Sequence, residues 1–254
     1  LKYALHIGAR ARCLGDEEVE ARAWFCMGGF RDNGGHLHPS LFSYHRSLAI
    51  RERTLGPDHR DTANSLHYVG RLLRELGEFP QSKAYFERAL AILERTTKAE
   101  HQTAIQRVRT ANTLNSLGVL LQEMGDLSQA WLYYERALAI WENVYGPEHL
   151  NIAWSLNNLG SLLRNMGNLT QAQSHLERAL AIKERVLGPE HPDTALSLNS
   201  LGLLRQEQGD LAGAQQYYER TLVILERVLG PEHPDTAQSL NNLGALLQAQ
   251  GDLA

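Results

Sequence analysis

The sequence predicts an all-α fold, a solenoid of antiparallel helix pairs, and three observations carry that expectation. Gly-Pro-Glu-His begins at Gly146, Gly188 and Gly230, so a unit of 42 residues is being copied. A second marker, glycine followed seven residues later by glycine, runs Gly28/Gly35, Gly70/Gly77, Gly118/Gly125, Gly160/Gly167, Gly202/Gly209 and Gly244/Gly251, in steps of 42, 48, 42, 42 and 42. Between these markers the apolar residues keep helical spacing: Leu156, Leu159 and Leu163 with Gly160 form one stripe, and Ala172, Leu176, Ala179 and Leu180 form another.

Each unit is therefore two helices. Gly167-Asn168 and Gly209-Asp210 separate them, because glycine accepts the left-handed conformation that closes a helix and Asn or Asp favours the next helix start. Between units, Leu187-Gly188-Pro189-Glu190-His191-Pro192-Asp193-Thr194 stops one helix and starts another, with Pro192 early in it and Asp193 near its positive end. First helices are expected at 17–33, 60–76, 103–124, 150–166, 192–208 and 234–250, and second helices at 38–54, 80–96, 128–145, 170–187 and 212–229. The single 48-residue step falls between His101 and Asn112, where Gln102 to Arg109 hold about six residues that other units lack; they are expected to lengthen or loop the start of that helix.

The repeats partition as 17–59 (divergent), 60–101, 102–149 (with the insertion), 150–191, 192–233 and a half repeat at 234–254, with 1–16 as the remnant second helix of a preceding unit. A helix pair cannot bury its own stripes, so each unit must stack on the next along one continuous core. Gly160, Ala172 and Ala179 mark close helix crossings, where a larger side chain costs about 1 to 3 kcal/mol by overpacking. The chain starts at Leu1 and stops within a unit, and is expected to be a piece of a longer protein.

Leu159-Gly160, Leu163, Ala172, Leu176 and Ala179 occupy the spacing of the tetratricopeptide signature. The long unit, with Ser155-Leu156-Asn157-Asn158-Leu159 in a first helix and Tyr218-Glu219-Arg220-Thr221-Leu222 before Leu229-Gly230-Pro231-Glu232-His233-Pro234, resembles the variant in the kinesin light chain cargo-binding domain. Similar arrays follow the nucleotide-binding part of bacterial signal-transduction NTPases. The resemblance covers 17 to 254 and implies a right-handed superhelical solenoid whose concave wall is built from first helices. Three places depart from it: Arg205 stands where other units have leucine, Thr97-Lys98-Ala99 replaces Leu-Gly-Pro, and Trp24-Phe25-Cys26-Met27 replaces Leu-Asn-Asn-Leu.

Composition narrows the function. A net charge of -4 and pI near 6.3 provide no general basic field, which argues against nucleic acid as the main partner. No apolar run reaches the roughly 20 residues of a membrane span. Two cysteines, Cys13 and Cys26, make no disulfide framework, and a cytoplasmic setting is expected. Asn168-Leu169-Thr170 matches a glycosylation sequon, but such triplets arise by chance.

His59, His101, His149, His191 and His233 recur once per unit. One metal needs ligands at about 2.0 to 2.1 Å, whereas equivalent positions lie a helix pair apart, roughly 18 to 20 Å, so helix capping is the expected role. No phosphate loop, His-Glu-x-x-His or Gly-x-Ser-x-Gly is present, and neither catalysis nor a cofactor is expected.

The face opposite the buried leucines of each first helix is different. Positions spaced 0, 3, 4, 7, 10 and 11 share it. They include Asn64, His67, Tyr68, Arg71 and Arg74 in unit two, Asn112 and Asn115 in unit three, and Trp154, Asn157, Asn158 and Arg164 in unit four. Unit five adds Asn199 and Gln206, and unit six Asn241 and Asn242. Asn is a poor interior-helix residue, and its paired donor and acceptor suit an extended peptide backbone. The alternative is that these amides only tie helices together. Arg71, Arg74 and Arg164 favour carboxylates in a ligand, while Tyr68 and Trp154 offer aromatic contact. Glu-Arg pairs such as Glu177-Arg178 and Glu219-Arg220 are expected on a solvated outer face.

The expected function is a non-catalytic protein-interaction scaffold that holds an extended or acidic segment of a partner protein in its concave groove. Two alternatives stand beside it. One is the sensor arm of a signalling NTPase or protease whose catalytic domain lies outside this chain. The other is an array that self-associates end to end through the apolar stripe Leu240, Leu243 and Leu247.

Overall fold

The structure, a computed structural model, describes residues 9–32, 34–97 and 103–251. Among these residues there is no strand. In chain order the helices are α1 (Glu17–Asp32), α2 (Leu37–Thr54), α3 (Arg60–Glu75), α4 (Phe79–Thr97), α5 (Ala104–Glu123) and α6 (Leu127–Tyr145), then α7 (Leu150–Asn165), α8 (Leu169–Leu187), α9 (Pro192–Glu207), α10 (Leu211–Leu229) and α11 (Pro234–Gln250). Their ends lie within a residue or two of those read from the repeat spacing. Residues 1–8 of the expected remnant helix, together with His101 and Gln102, lie outside the described residues, and 9–13 are helical.

The stops work as the chemistry requires. After α7, the Asn168 N–H reaches the Leu163 carbonyl at 2.8 Å and the Gly167 N–H reaches Arg164 at 2.9 Å, a Schellman closure that needs the left-handed φ of +79° at Gly167. The starts use histidine. Nδ1 of His59, His149, His191 and His233 accepts the backbone N–H two residues on, at 3.1 to 3.2 Å, as an N-cap oxygen would. At α5 that role passes to a capping box, in which Thr103 and Gln106 satisfy each other's backbone N–H groups. Starting there, α5 runs 20 residues where α3, α7 and α9 run 16. The inserted residues thus lengthen the helix.

The chain forms two compact units, 1–137 and 138–254. In the N-terminal unit α1 packs on α2 and α3 on α4, α2 packs on α3, and α3 also touches α5. Its core gathers Tyr44, Leu48, Leu66, Val69, Leu72, Ile92 and Leu93. In the C-terminal unit α7 packs on α8 and α9 on α10, with α7 and α9 in direct contact and α10 against α11. Its cores join Leu163, Leu176, Leu201 and Leu204, then Leu198, Ile224 and Leu225, then Tyr218 and Leu246.

Close approach within each pair is set by one glycine. A Cβ on Gly160 would meet Leu176 Cγ at 2.5 Å, one on Gly118 would meet the Tyr134 ring at 2.6 Å, and one on Gly202 would meet the Tyr218 ring at 2.5 Å. In each case the partner lies sixteen residues on, so the first-to-second-helix contact is copied with the repeat.

Candidate functional site

Within each compact unit taken by itself, neighbouring first helices touch, α3 with α5 and α7 with α9, and bring candidate residues of that unit together. In the C-terminal unit Trp154 is 45% exposed and Leu196, at the same repeat position, is 40% exposed. Asn157, Asn158 and Asn199 beside them are half-buried, and Asn241 is exposed. The Asn242 amide donates to Asn199 Oδ1 at 2.8 Å and takes a bond from Gln238 at 3.0 Å. Asn157 Oδ1 accepts from the Ser197 hydroxyl at 3.2 Å. These amides therefore tie successive first helices together and still present an edge to solvent. Gln206 is turned away, its Oε1 accepting the Tyr218 hydroxyl at 3.0 Å.

In the N-terminal unit Asn64, His67, Tyr68 and Asn112 line one narrow cleft with Arg109 and Thr113, while Asn115 is half-buried further along α5. His67 sits 3.2 Å from the Thr113 hydroxyl, edge-on to Tyr68 and tilted against Phe86. Burial, with Arg71 nearby, pushes its pKa down to about 4.

The three arginines expected to meet a ligand's carboxylate are already paired within the chain. Arg71 bonds Asp32 and Glu75. Arg74 bonds Glu123, and Arg164 lies 3.4 Å from Glu207. The last two pairs share one geometry: an arginine at the tenth-offset position of one first helix meets the glutamate at the eleventh-offset position of the next. The template supplies both partners, so these cations are neutralised by repetition.

Unpaired positive charge lies elsewhere. A pocket of about 370 Å³ among α1, α2, α3 and α5 is lined by Glu18, Arg22, Phe25, Cys26, Arg51, Leu55, Asp61, Asn64 and Arg109. Arg51 is 7% exposed, and its Nη1 donates to the Asp61 carbonyl at 3.0 Å and the Ser65 hydroxyl at 2.8 Å. Its guanidinium carbon is 4.8 Å from the Phe25 ring centre. Burial holds Arg51 below its ordinary pKa. Arg109 is engaged with Asp61 at 2.9 Å.

Two sequence signals for this pocket were present. Counting back 42 residues from Asn64 places Arg22 on the first-helix face. The register Arg51, Leu93, Trp141, Lys183, Leu225 is apolar except at two cations. Lys183, 3% exposed, repeats the Arg51 contact by donating to the Asp193 carbonyl at 3.1 Å.

Arg205 has a different outcome. Where other units place leucine, it opens a pocket of about 430 Å³ with Gly213, Tyr217 and Arg220. Its charges are balanced, since Glu177 lies 3.6 Å from Arg205 and Glu184 lies 2.7 Å from Arg220. Among the described residues no group of three His, Cys, Asp or Glu is placed to hold a metal, and no helix is long and apolar enough to cross a membrane.

A tetratricopeptide repeat profile matches residues 43–95, 109–165, 152–225 and 198–254. No curated protein matches the sequence. Among solved structures, BtubC (BKLC) from P. vanneervenii aligns with a TM-score of 0.69 and 24% identity over 85% of each chain. A kinesin light chain protein with nearly identical repeats from Podosopora anserina aligns with a TM-score of 0.67 and 21% identity, over 83% of this chain and 96% of that one. RapI in its apo form aligns with a TM-score of 0.69 and 18% identity over 91% of this chain and 84% of its own.

Proposed function

Since the chain belongs to the tetratricopeptide repeat family, we propose that it is a non-catalytic scaffold whose first-helix face holds an extended peptide segment of a partner protein, in a cytoplasmic setting. The observation that carries this reading is the surface of α7 and α9. Two large apolar side chains, Trp154 and Leu196, stand exposed there beside half-buried asparagines. Aromatic and aliphatic anchors bordered by amides suit side-chain pockets plus main-chain hydrogen bonds in one extended ligand. The amide positions Asn157, Asn158, Asn199, Asn241 and Asn242, with Asn64, Asn112 and Asn115 in the N-terminal unit, supply the main-chain contacts in this proposal.

Trp154→Ala is the direct test, because an exposed ring contributes little to folding. Peptide affinity, measured by calorimetry against a ligand captured from a displayed peptide library, is expected to fall by about 2 kcal/mol with the melting temperature unchanged. Unchanged affinity would remove this face from the proposal. Asn199→Ala is expected to lower both affinity and stability, since Asn199 also accepts from Asn242.

One observation favours end-to-end self-association as a second reading: Leu240 on α11 is 44% exposed. Sedimentation across a concentration series tests it. Association that Leu240→Asp abolishes supports it, and a concentration-independent monomer excludes it.

A further inference from the structure

Two buried cations perform one repeated task in this chain. Arg51 donates to the Asp61 carbonyl at 3.0 Å and to the Ser65 hydroxyl at 2.8 Å, and Lys183 donates to the Asp193 carbonyl at 3.1 Å. Each reaches from a second helix to the start of the next first helix. One repeat further on, that register holds Leu225 in α10, and the residues equivalent to Asp61 and Ser65 are Asp235 and Ser239 in α11. Leucine has no proton to donate. The Ser239 hydroxyl is left without a hydrogen-bond partner, although Ser239 is only 2% exposed. Buried polar atoms are nearly always partnered, so an orphan that borders an opening marks a place where a donor from outside fits.

That opening is a notch of about 40 Å³ between α9 and α11, bordered by Ser239, Leu225, Leu196, Asn199 and Asp235. It runs inward from the first-helix face, since Leu196 is 40% exposed and Leu225 only 1%. At the equivalent place in the N-terminal unit Arg109 neutralises Asp61, whereas Asp235 forms no ion pair with a lysine or arginine among the described residues. His233 Nδ1, 3.8 Å from the Asp235 carboxylate, accepts the Asp235 N–H and so carries no proton. We infer that this notch seats the ammonium group of a lysine in the partner segment, which donates to Ser239 Oγ and is balanced by the Asp235 carboxylate. The apolar stem of that lysine lies along Leu196, as long charged side chains do on apolar surface. A notch of this size suits a compact ammonium better than a planar guanidinium. The inference rests on the peptide-scaffold reading above and names a side chain that the C-terminal unit selects.

Three mixtures of fluorescein-labelled hexapeptides, N-terminally acetylated and random outside one central position but free of lysine and arginine there, test this by anisotropy against the full chain. The central residue is lysine in one, Nε-acetyl-lysine in the second and arginine in the third. The lysine mixture is expected to bind about tenfold more tightly than the acetyl-lysine mixture, with arginine weaker than lysine. Asp235→Asn and Ser239→Ala are each expected to shrink that preference. Ser239→Ala should also melt no lower than the wild type, because the hydroxyl it removes has no partner within the chain. A lower melting temperature for Ser239→Ala would show the hydroxyl already in use and overturn the site. Equal binding by all three mixtures, arginine as tight as lysine, or a preference that survives both variants also overturns it, and each leaves the peptide-scaffold reading intact. Failure of every mixture to bind overturns both.

Discussion

His67 shows how one side chain takes its properties from neighbours distant in sequence. Its ring is packed among Tyr68, Phe86 and Thr113, with Arg71 as the charged group nearby, and its pKa falls to about 4. The unfolded chain takes up this proton near the ordinary histidine value of about 6.5. Between those two values the unfolded state binds more protons than the folded one, so stability is expected to fall as the pH drops through that window. Chemical denaturation at stepped pH measures it, and His67→Gln should flatten the profile there; an identical slope in the variant would refute the assignment. Helical spacing placed His67 on the first-helix face. Its contact with Thr113, forty-six residues away, required the packed structure.

At the scale of the helix, histidine serves as a start signal. The Gly-Pro-Glu-His segment ends one helix and places an imidazole nitrogen against the second N–H of the next, with proline first in α9 and α11. His191→Ala should therefore destabilise the start of α9 by about 1 kcal/mol, the usual cost of losing an N-cap acceptor. Urea denaturation monitored by circular dichroism tests this, and His191→Asn, which restores an acceptor, should recover most of the loss. Second helices follow a different logic. Arg178 pairs with Glu142 and Arg220 with Glu184, each at 2.7 Å, and Arg88 with Glu52 likewise. The Glu-Arg dipeptides do lie on a solvated surface, but they form ion pairs across units, not within one helix. Exposed pairs of this kind contribute little individually, typically below about 1 kcal/mol.

Within each of the two compact units, the helix contacts run between neighbours in sequence order and between adjacent first helices, as expected of a repeat array. The glycine at each first-helix crossing provides a local way to perturb it. Gly202→Ala places a methyl group 2.5 Å from the Tyr218 ring, whose neighbours Leu246 and Ala214 leave it little room. A cost of about 1 to 3 kcal/mol is expected. Hydrogen exchange followed by mass spectrometry should show faster exchange concentrated in α9, α10 and α11, with α3 and α4 nearly unchanged. Uniform acceleration along the chain would instead indicate a single cooperative unit.

Helix positions and pairing, the turns, and the residues that share a first-helix face were determined by the sequence, because those features depend on local spacing and on repetition. Gly160 against Leu176 and Gly202 against Tyr218 follow from the 42-residue template once the pairing is recognised. Which charges remain available was decided only by tertiary structure. Arg164 and Arg22 are both arginines on a first-helix face, yet one meets Glu207 from the next unit and the other meets no carboxylate. Electrostatic pairing acts through distances between helices brought together by folding, and a helical period describes one helix at a time. Arg51 makes the same point from the core side. Its register in other units holds mostly apolar residues, and only packing shows that its buried guanidinium borders an open pocket where it shares the Asp61 carboxylate with Arg109.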